Sequence, residues 1–499
     1  MAACQTIGED LITGLLILIF PLGITGYLAY RLRRSPLMAL APVLTLVMGQ
    51  AIYIEKDYEW SVHVPGIPFP IGWLEVMFAL LLGGWAWVRL CRPVAAPIDR
   101  ELSWVTVASL VGLCAIQALL VMADIGRPAL HVLFRQRQNL YLPLSIFIWL
   151  DIWRRVTKED AWRLMVALAC VAVPLAGLYA LSSLGFPTYP ITDPQRIEQH
   201  GEATVIRYSP TFAFWIPLSF AYMASRPWQT WRTGICLVVL FAAMSLSATR
   251  SYIIPAIAMT LVIVMYPVLR GEQIGKQLRS LFLIGAALGL FAIVLSTSRP
   301  DHAGFIVERV GELFENAPME ISNFSSRAQT FLDIAQYQAR RDPILGAGAT
   351  YGGFDETLRF AVGNQIVGDM LWSELIYRFG WSGVTLYVVM LAVYLIASFR
   401  VMKRSDSDRS RLGCILFCLV LWDILRTSAS SDLLTIYPVG HAMILAMVCG
   451  LAGGLWRAQQ LRTVTGWPLL ITQSDRSLQP VGSTGRYYDI PRIYFRRER

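Results

Sequence analysis

The sequence predicts an all-α protein that crosses a membrane many times. Hydrophobic residues make up 55% of its 499 residues and charged residues only 15%, whereas soluble domains carry about 25% charged residues. Apolar runs of about 20 residues, the length needed to cross a bilayer as a helix, recur along most of the chain. We therefore expect a polytopic integral membrane protein with about 12–13 transmembrane helices and one large outer loop.

The apolar runs divide the chain into four parts. Residues 1–297 are expected to form an N-terminal transmembrane bundle, and residues 298–370 a large outer loop with an amphipathic helix. Residues 371–456 are expected to form the C-terminal transmembrane helices, and residues 457–499 a basic cytoplasmic tail. The candidate spans are 11–30, 36–54, 71–90, 103–123, 140–153, 161–184, 209–224, 234–248, 252–269, 281–297, 375–397, 412–427 and 437–456.

Basic residues follow every second candidate span. Short loops on the cytoplasmic side of a membrane carry an excess of lysine and arginine, so these loops are expected to share that side. This orientation puts the N-terminus and the 298–370 loop outside. The basic residues are Arg31, Arg33, Arg34, Arg89, Arg92, Arg100, Arg154, Arg155, Lys158, Arg163, Arg226, Arg232, Arg270, Lys276, Arg279, Arg400, Lys403, Arg404, Arg409 and Arg411.

Composition also limits the chemistry. The formal net charge of +9 reflects the positive-inside bias and is compatible with an anionic substrate. The 8 cysteines lie mostly in apolar runs and have no metal-ligand spacing, so neither disulfides nor a zinc site are predicted. Residues 271–277 are too short for a P-loop and lack its final Ser or Thr. No cofactor is therefore expected, and any reaction must draw its energy from the substrate or from a gradient.

A polar stretch, residues 325–353, lies between two strongly apolar segments. Ser326 followed by Gln329 is typical of a capping box that opens a helix. Asp342 before Pro343 is expected to end this helix, because the residue before a proline disfavours the α region. Helical spacing predicts an apolar face made of Phe331, Leu332, Ile334, Ala335 and Gln338.

Three arginines on this polar helix are candidates for function. Arg340 and Arg341 fall in the last turn, where a cation suits the negative end of the helix dipole. Arg327 falls in the expected first turn, where a cation opposes the positive end. A residue placed against its local preference is a candidate functional residue.

A second group of arginines lies in the 126–138 loop, on the expected outer side. Arg127, Arg135 and Arg137 break the charge rule there. Either the topology changes at this loop, or these arginines face an anionic ligand, and we expect them to attract the substrate.

Two pairs of opposite charges lie in or beside the apolar segments. Asp423 and Arg426 share one face of the span 412–427, where charged residues usually face a cavity or a partner. Both a structural ion pair and a functional role are open for them. Glu374 and Arg378 have the i,i+4 spacing of a helical ion pair, for which a structural role is favoured. The histidines of the expected outer loops are further candidate bases without a recognisable setting: His63, His131, His200 and His302.

Four features then occur in a fixed order. An apolar hairpin contains Ser-Ala-Thr-Arg-Ser with Arg250, and the polar helix with Arg327 follows. That helix ends in Arg-Asp-Pro-Ile-Leu-Gly-Ala-Gly at 341–348. Asp369 precedes Trp-Ser-Glu-Leu-Ile-Tyr-Arg-Phe-Gly-Trp-Ser-Gly at 372–383. This order resembles the O-antigen ligase and polysaccharide polymerase superfamily of bacterial membrane proteins, over roughly the central third of the chain.

The resemblance implies a fold like that of membrane glycosyltransferases that act on polyprenyl carriers. It also implies a lipid-diphosphate-linked glycan as the substrate. Arg250 and Arg327 would stabilise the diphosphate leaving group, because arginine presents a planar fork to phosphate oxygens. Asp369 would activate the acceptor hydroxyl as a base, where ligases of the family usually carry histidine. The residues expected to bind substrate are Arg127, Arg135, Arg137, Arg340 and Arg341.

The predicted function is polymerisation of polyprenyl-diphosphate-linked repeat units into a cell-surface polysaccharide, in a bacterial inner membrane with the site facing the periplasm. One alternative is a ligase that transfers glycan to lipid A core, although the missing histidine favours a polymerase. Another is a transporter or flippase for the same lipid-linked glycan, although no internal repeat is evident. The expected partners are the bilayer and the lipid-linked glycan, with a flippase and a chain-length regulator as candidates and no nucleic acid.

The topology can be tested with reporter fusions. Fusions after Arg34, Arg155 and Arg404 should report the cytoplasm, because these positions lie in the basic loops. Fusions at Gly304 and Asp355 should report the outside. A cytoplasmic report at Gly304 would contradict the proposed orientation.

Overall fold

A computed structural model describes most of the predicted helices. All described residues belong to the compact unit Met1–Arg457, so the predicted tail lies outside them. The described residues are 23, 30, 61–62, 71–91, 100–123, 141–151, 158–183, 186, 197–200, 203–206, 212–225, 231–246, 250–270, 285–286, 289, 291–311, 323–341, 343–346, 371–404, 407–428 and 445–457.

The described elements are helices and two short strand pairs. The helices are α1 (Trp73–Cys91), α2 (Arg100–Ala123), α3 (Tyr141–Asp151), α4 (Lys158–Ser183), α5 (Phe212–Ala224), α6 (Trp231–Leu246), α7 (Arg250–Leu269), α8 (291–298), α9 (Pro300–Gly311), α10 (Asn323–Arg341), α11 (Leu371–Arg404), α12 (Ser407–Thr427) and α13 (Leu445–Arg457). The strands are β1 (Ser61–Val62), paired with β2 (Ile71–Gly72), and β3 (Ile197–His200), paired with β4 (Ala203–Ile206), both antiparallel.

The all-α prediction is confirmed for the described residues, apart from these strand pairs. Each candidate span from 71–90 onward contains a described helix. Three helices are long and apolar enough to cross a membrane, through the segments Leu164–Leu181, Tyr252–Leu269 and Leu371–Lys403. The apolar pattern does not predict the strand pairs: β1, β3 and β4 lie between candidate spans, and β2 takes the first two residues of the span 71–90, so that α1 begins at Trp73.

Helices α7 and α12 form an antiparallel pair in the core. Three contacts at successive depths define their direction. The Tyr252 ring stacks against the Trp422 ring with centroids 6.3 Å apart. Cys418 Sγ lies 3.8 Å from the Met259 carbonyl oxygen, and Tyr266 Oη donates to Ser410 Oγ at 3.0 Å. The start of α7 therefore lies beside the end of α12.

Helix α11 packs antiparallel to both α2 and α12. Thr106 Oγ1 and Tyr394 Oη share a hydrogen bond of 2.9 Å, and Gly112 faces Leu386 further along the same pair. The Phe399 and Phe417 rings contact each other at 5.9 Å between centroids. The start of α11 consequently lies at the same end as the end of α12.

One end of this bundle, which we call the basic end, is formed by the end of α7, the end of α11, the start of α12 and the end of α13. The Arg400 guanidinium lies 5.2 Å from the centroid of the Trp456 ring, which joins α11 to α13 there. The described basic side chains at this end are Arg270, Arg400, Lys403, Arg409, Arg411 and Arg457. The charge pattern predicts that these residues share one side, and the helix directions agree with it.

The polar helix α10 differs from its prediction in two respects. It begins at Asn323, so the interpretation of Ser326 and Gln329 as a capping box is wrong. Gln329 instead donates to Asp333 Oδ1 at 2.8 Å, one turn along the helix. Leu332 is 50% exposed and does not belong to the apolar face, whereas Ile334 is fully buried. The predicted end of the helix at Arg341 is confirmed.

The tight contact between α11 and α12 gives a stability prediction. A Cβ added at Gly413 would lie 2.5 Å from the Met402 backbone nitrogen, which cannot move aside. Gly413→Ala should therefore destabilise the protein by about 1–3 kcal/mol, the usual effect of overpacking. Thermal unfolding in detergent measures the effect.

Gly177→Ala in α4 is the matched control for this change. Its added Cβ would lie 3.6 Å from the Val239 side chain, an ordinary contact. This variant should be as stable as the wild type or slightly more stable, because alanine favours a helix over glycine. Equal stability of the two variants would contradict the overpacking argument.

Candidate functional site

The end of the bundle opposite the basic end holds most of the described polar residues that the sequence marks as candidates. We call it the polar end. It comprises the first turn of α7, the first part of α11 as far as Ser382, and the last turn of α12 with Ser428. Trp372 Nε1 donates to Ser428 Oγ at 3.0 Å, which joins the start of α11 to the end of α12.

Helix α11 is broken at Gly380, within the polar end. This residue has φ 61° and ψ −161°, a backbone region that is essentially restricted to glycine. Such a break leaves neighbouring backbone N–H and carbonyl groups without their partners inside the helix. A buried backbone group without a partner is costly, so another segment must supply the missing hydrogen bonds.

The turn that follows α10 supplies them. The Trp381 N–H donates to the Pro343 carbonyl oxygen at 2.9 Å, and Ser382 Oγ donates to the Ile344 carbonyl oxygen at 2.8 Å. We call this contact between residues 343–346 and 379–382 the clasp. It joins the Pro-Ile-Leu-Gly turn to the Gly-Trp-Ser-Gly segment, the two motifs that the sequence analysis treated separately.

Glycine is required on both sides of the clasp. A Cβ on Gly346, which has φ 74°, would lie 2.5 Å from the Gly380 nitrogen. A Cβ on Gly380 would lie 2.5 Å from the Ile344 carbonyl oxygen. Both obstacles are backbone atoms, so the two segments approach each other as closely as their backbones allow.

Helix α10 lies against α11 beside the clasp. Ile334 packs with Ile376 and Tyr377 in a small separate core. Gln338 is fully buried, and its Nε2 donates to the Tyr377 carbonyl oxygen at 3.1 Å. The polar helix is therefore anchored to α11 along its second half.

Charged residues are buried at the polar end. Glu374 and Arg378 form the predicted ion pair, with a guanidinium nitrogen 2.5 Å from a carboxylate oxygen. Asp423 is fully buried, and Tyr387 Oη donates to its carboxylate at 3.4 Å. Arg426 is also buried, at 1% exposure. Burial of this much charge in an apolar bundle is expensive and marks this end as different from the rest of the core.

Helix α9, which the sequence analysis did not predict, brings His302 to the same region. His302 is 3% exposed, and its Nε2 lies 3.1 Å from the Leu246 carbonyl oxygen at the end of α6. Leu246 precedes Arg250 by four residues, so α9 packs against the hairpin that carries Arg250. His302 is thus a buried packing residue, not an exposed loop base.

The predicted catalytic and binding residues are described to different extents. Arg250 begins α7, Arg327 lies within α10, and Arg341 ends α10. Only their backbones are described, whereas the Arg340 side chain is described and exposed. The remaining candidates lie outside the described residues: Asp369, Arg127, Arg135 and Arg137.

The structure changes one argument about Arg327. Because α10 begins at Asn323, Arg327 falls in the second helical turn. The helix dipole acts mainly within the first turn. The prediction that Arg327 opposes the dipole is therefore wrong. Arg327 lies one turn before Phe331, which packs against α11.

Sequence reasoning missed the clasp and the position of His302. A signal for the clasp was present in the glycines at 346 and 380, since a conformation restricted to glycine often accompanies a close backbone approach. Among the described residues, no group of three His, Cys, Asp or Glu side chains is placed to hold a metal ion.

No protein-family model matches the sequence, and a search of curated proteins finds no significant match.

The clasp gives a second stability prediction. Gly380→Ala should destabilise the protein, because the backbone conformation alone costs about 1–3 kcal/mol for another residue. The added Cβ would also push residues 343–346 away from α11. Limited proteolysis should then cleave the segment between α10 and α11 faster than in the wild type.

Gly304→Ala in α9 serves as the control, because nothing lies within 4 Å of its added Cβ. It should leave the proteolysis pattern unchanged. If Gly380→Ala were as resistant to protease as Gly304→Ala, the clasp would not hold the two segments together.

Proposed function

We propose that this protein is a polytopic membrane glycosyltransferase of the polysaccharide polymerase type. It joins polyprenyl-diphosphate-linked oligosaccharide units into a cell-surface polysaccharide, without a nucleotide or a metal. The observation that carries the proposal is the clasp, because it unites two motifs that the family resemblance treats as separate parts of one site.

The position of Arg250 supports the proposal. Arg250 begins α7, and Tyr252 in the same turn contacts Trp422 near the end of α12. Leu371 begins α11 at the same end of the bundle, two residues after Asp369. The start of α7, which carries Arg250, and the start of α11, which follows Asp369 in the sequence, therefore meet at the polar end.

The location of charge gives further support. A diphosphate leaving group at a membrane surface needs fixed cations and a well-packed frame to hold them. Arg340 is exposed beside the part of α10 that packs on α11, so it is free to approach an anionic ligand. Arg341, Arg127, Arg135 and Arg137 keep their proposed role in attracting the diphosphate.

The reaction follows from the chemistry of the substrate. The acceptor sugar hydroxyl attacks the anomeric carbon of the donor, and its proton passes to Asp369. The bond from that carbon to the diphosphate oxygen breaks, and polyprenyl diphosphate leaves with the bonding electron pair. Arg250 and Arg327 stabilise the charge that develops on the diphosphate oxygens.

The membrane arrangement belongs to the same proposal. The three long apolar helices cross the bilayer together with the shorter ones, and the basic end faces the cytoplasm. The polar end then faces the periplasm of a bacterial inner membrane, where lipid-linked repeat units are presented. A ligase acting on lipid A core would use the same end with a different acceptor.

Purified protein incubated with lipid-linked repeat units, without nucleotide, tests the activity. Glycans longer than one unit on the lipid carrier support a polymerase. Transfer to lipid A core without elongation indicates a ligase. Scrambling of the lipid between vesicle leaflets without any new glycosidic bond would contradict both enzyme readings and favour a transporter.

The catalytic assignment predicts that Arg250→Ala and Arg327→Ala each lower the rate on the order of 10²–10³-fold, as for other preorganised charge-stabilising groups. Lysine should restore little activity, because a point charge does not replace the bidentate fork. Asp369→Asn should also abolish polymer, because it removes the basic carboxylate and keeps a capping side chain. Initial rates of chain growth measure these effects.

Arg232→Ala is the matched control for the arginine variants. Arg232 is exposed at the start of α6, at the opposite end of that helix from Leu246. Its removal should leave chain growth close to the wild-type rate. Normal polymer from cells with Arg327→Ala at native expression would rule out the proposed site.

A further inference from the structure

The Tyr252 ring contacts two side chains of α12. Its ring is stacked on Trp422, with an interplanar angle of 5°. The Arg426 guanidinium lies on the ring as well, with Cζ 5.5 Å from the centroid. Trp422 and Arg426 are four residues apart and so share one face of the helix. We call these three residues the Tyr252 stack.

The Tyr252 stack is buried. Trp422 is fully buried, Arg426 is 1% exposed and Tyr252 is 7% exposed. A guanidinium so far from water needs a reason, because an apolar residue of similar size would fill the same space at a lower desolvation cost. Contact with an aromatic face attracts the cation and holds the ring in one orientation.

The stack is connected to the start of α11. Asp423, next to Trp422 in the chain, accepts a hydrogen bond from Tyr387 Oη. The Trp372 ring lies edge-on to the Tyr387 ring, with centroids 5.8 Å apart. These contacts run without a gap from the first turn of α7 to the first turn of α11.

Both ends of this series of contacts are close in sequence to proposed catalytic residues. Arg250 is two residues before Tyr252, about 3 Å along the helix axis. Trp372 is three residues after Asp369. An arginine that stabilises a transition state must be held in position closely, since a displacement of about 1 Å can lower a rate 10²-fold.

We propose that Tyr252 and Arg426 are positioning residues, which set the location of the start of α7, and with it Arg250, relative to the start of α11 through the Tyr252 stack. They do not touch the substrate. The inference rests on the proposed function, because it assigns these residues a role in the same reaction.

The first test compares two cation–aromatic contacts at opposite ends of the bundle. Tyr252→Leu removes the ring at the polar end, and Trp456→Leu removes the ring under Arg400 at the basic end. Tyr252→Leu should lower kcat on the order of 10–100-fold with little change in KM, because it displaces a group that acts in the transition state. Trp456→Leu should leave kcat unchanged. Tyr252→Phe keeps the ring face and should retain most of the activity.

The second test is a double-mutant cycle with Arg250→Lys. If Tyr252 acts through Arg250, adding Tyr252→Leu to Arg250→Lys should lower kcat far less than it does in the wild type. If the fold-loss of kcat in the double variant equalled the product of the two single-variant losses, the inference would be overturned. Equal effects of Tyr252→Leu and Trp456→Leu on kcat would also overturn it.

Thermal unfolding of each variant in detergent keeps these outcomes separate from loss of the fold. If Tyr252→Leu does not fold, Arg426→Lys takes its place in both tests, because it keeps the charge and loses the planar guanidinium. If wild-type protein makes no polymer, the proposed function fails and the inference with it. If Arg250→Ala abolishes polymer while the cycle is additive, only the inference fails.

Discussion

The break at Gly380 imposes the constraint on which the rest of the polar end depends. An interruption leaves backbone hydrogen-bonding groups without their partners inside the helix, and those that are buried need a partner from another part of the chain. The turn at 343–346 meets this demand with its carbonyl oxygens. The polar helix α10, which precedes that turn, is consequently held against α11, and the orientation of the whole 323–346 segment follows from a local feature of one helix.

The buried charges show a similar dependence between segments. Glu374 and Arg378 satisfy each other within α11, on the side of the break nearest the start of the helix. Asp423 and Arg426 contact residues of two other helices, Tyr387 and Tyr252. An ion pair within one helix does not fix the position of that helix against its neighbours. A charged residue that contacts another helix does. Contacts between α7, α11 and α12 therefore hold the polar end together around the start of α7, which carries Arg250.

Much of the fold could be predicted from the sequence, because apolar length and helical period decide where helices form. The helix ends at Leu269 and Arg341 agree with the predictions to the residue, and the ion pair between Glu374 and Arg378 follows from its spacing. The predicted start of α10 at Ser326 was wrong, because the helix continues through the capping signal and begins at Asn323. The clasp and the Tyr252 stack could not be predicted, because each joins residues far apart in sequence whose meeting depends on how whole helices pack.

The clasp also has a consequence for the order in which the protein is assembled. Its two halves are separated by only 38 residues, and the half that supplies the carbonyl oxygens precedes the half that needs them. As the chain is synthesised from its N-terminus, the turn at 343–346 already exists when residues 379–382 emerge. Closing a loop of this length carries a modest entropy loss, so the clasp can form before α12 and α13 are made. The broken helix then has its partner from the start, and α12 is added to a surface that is already complete on that side.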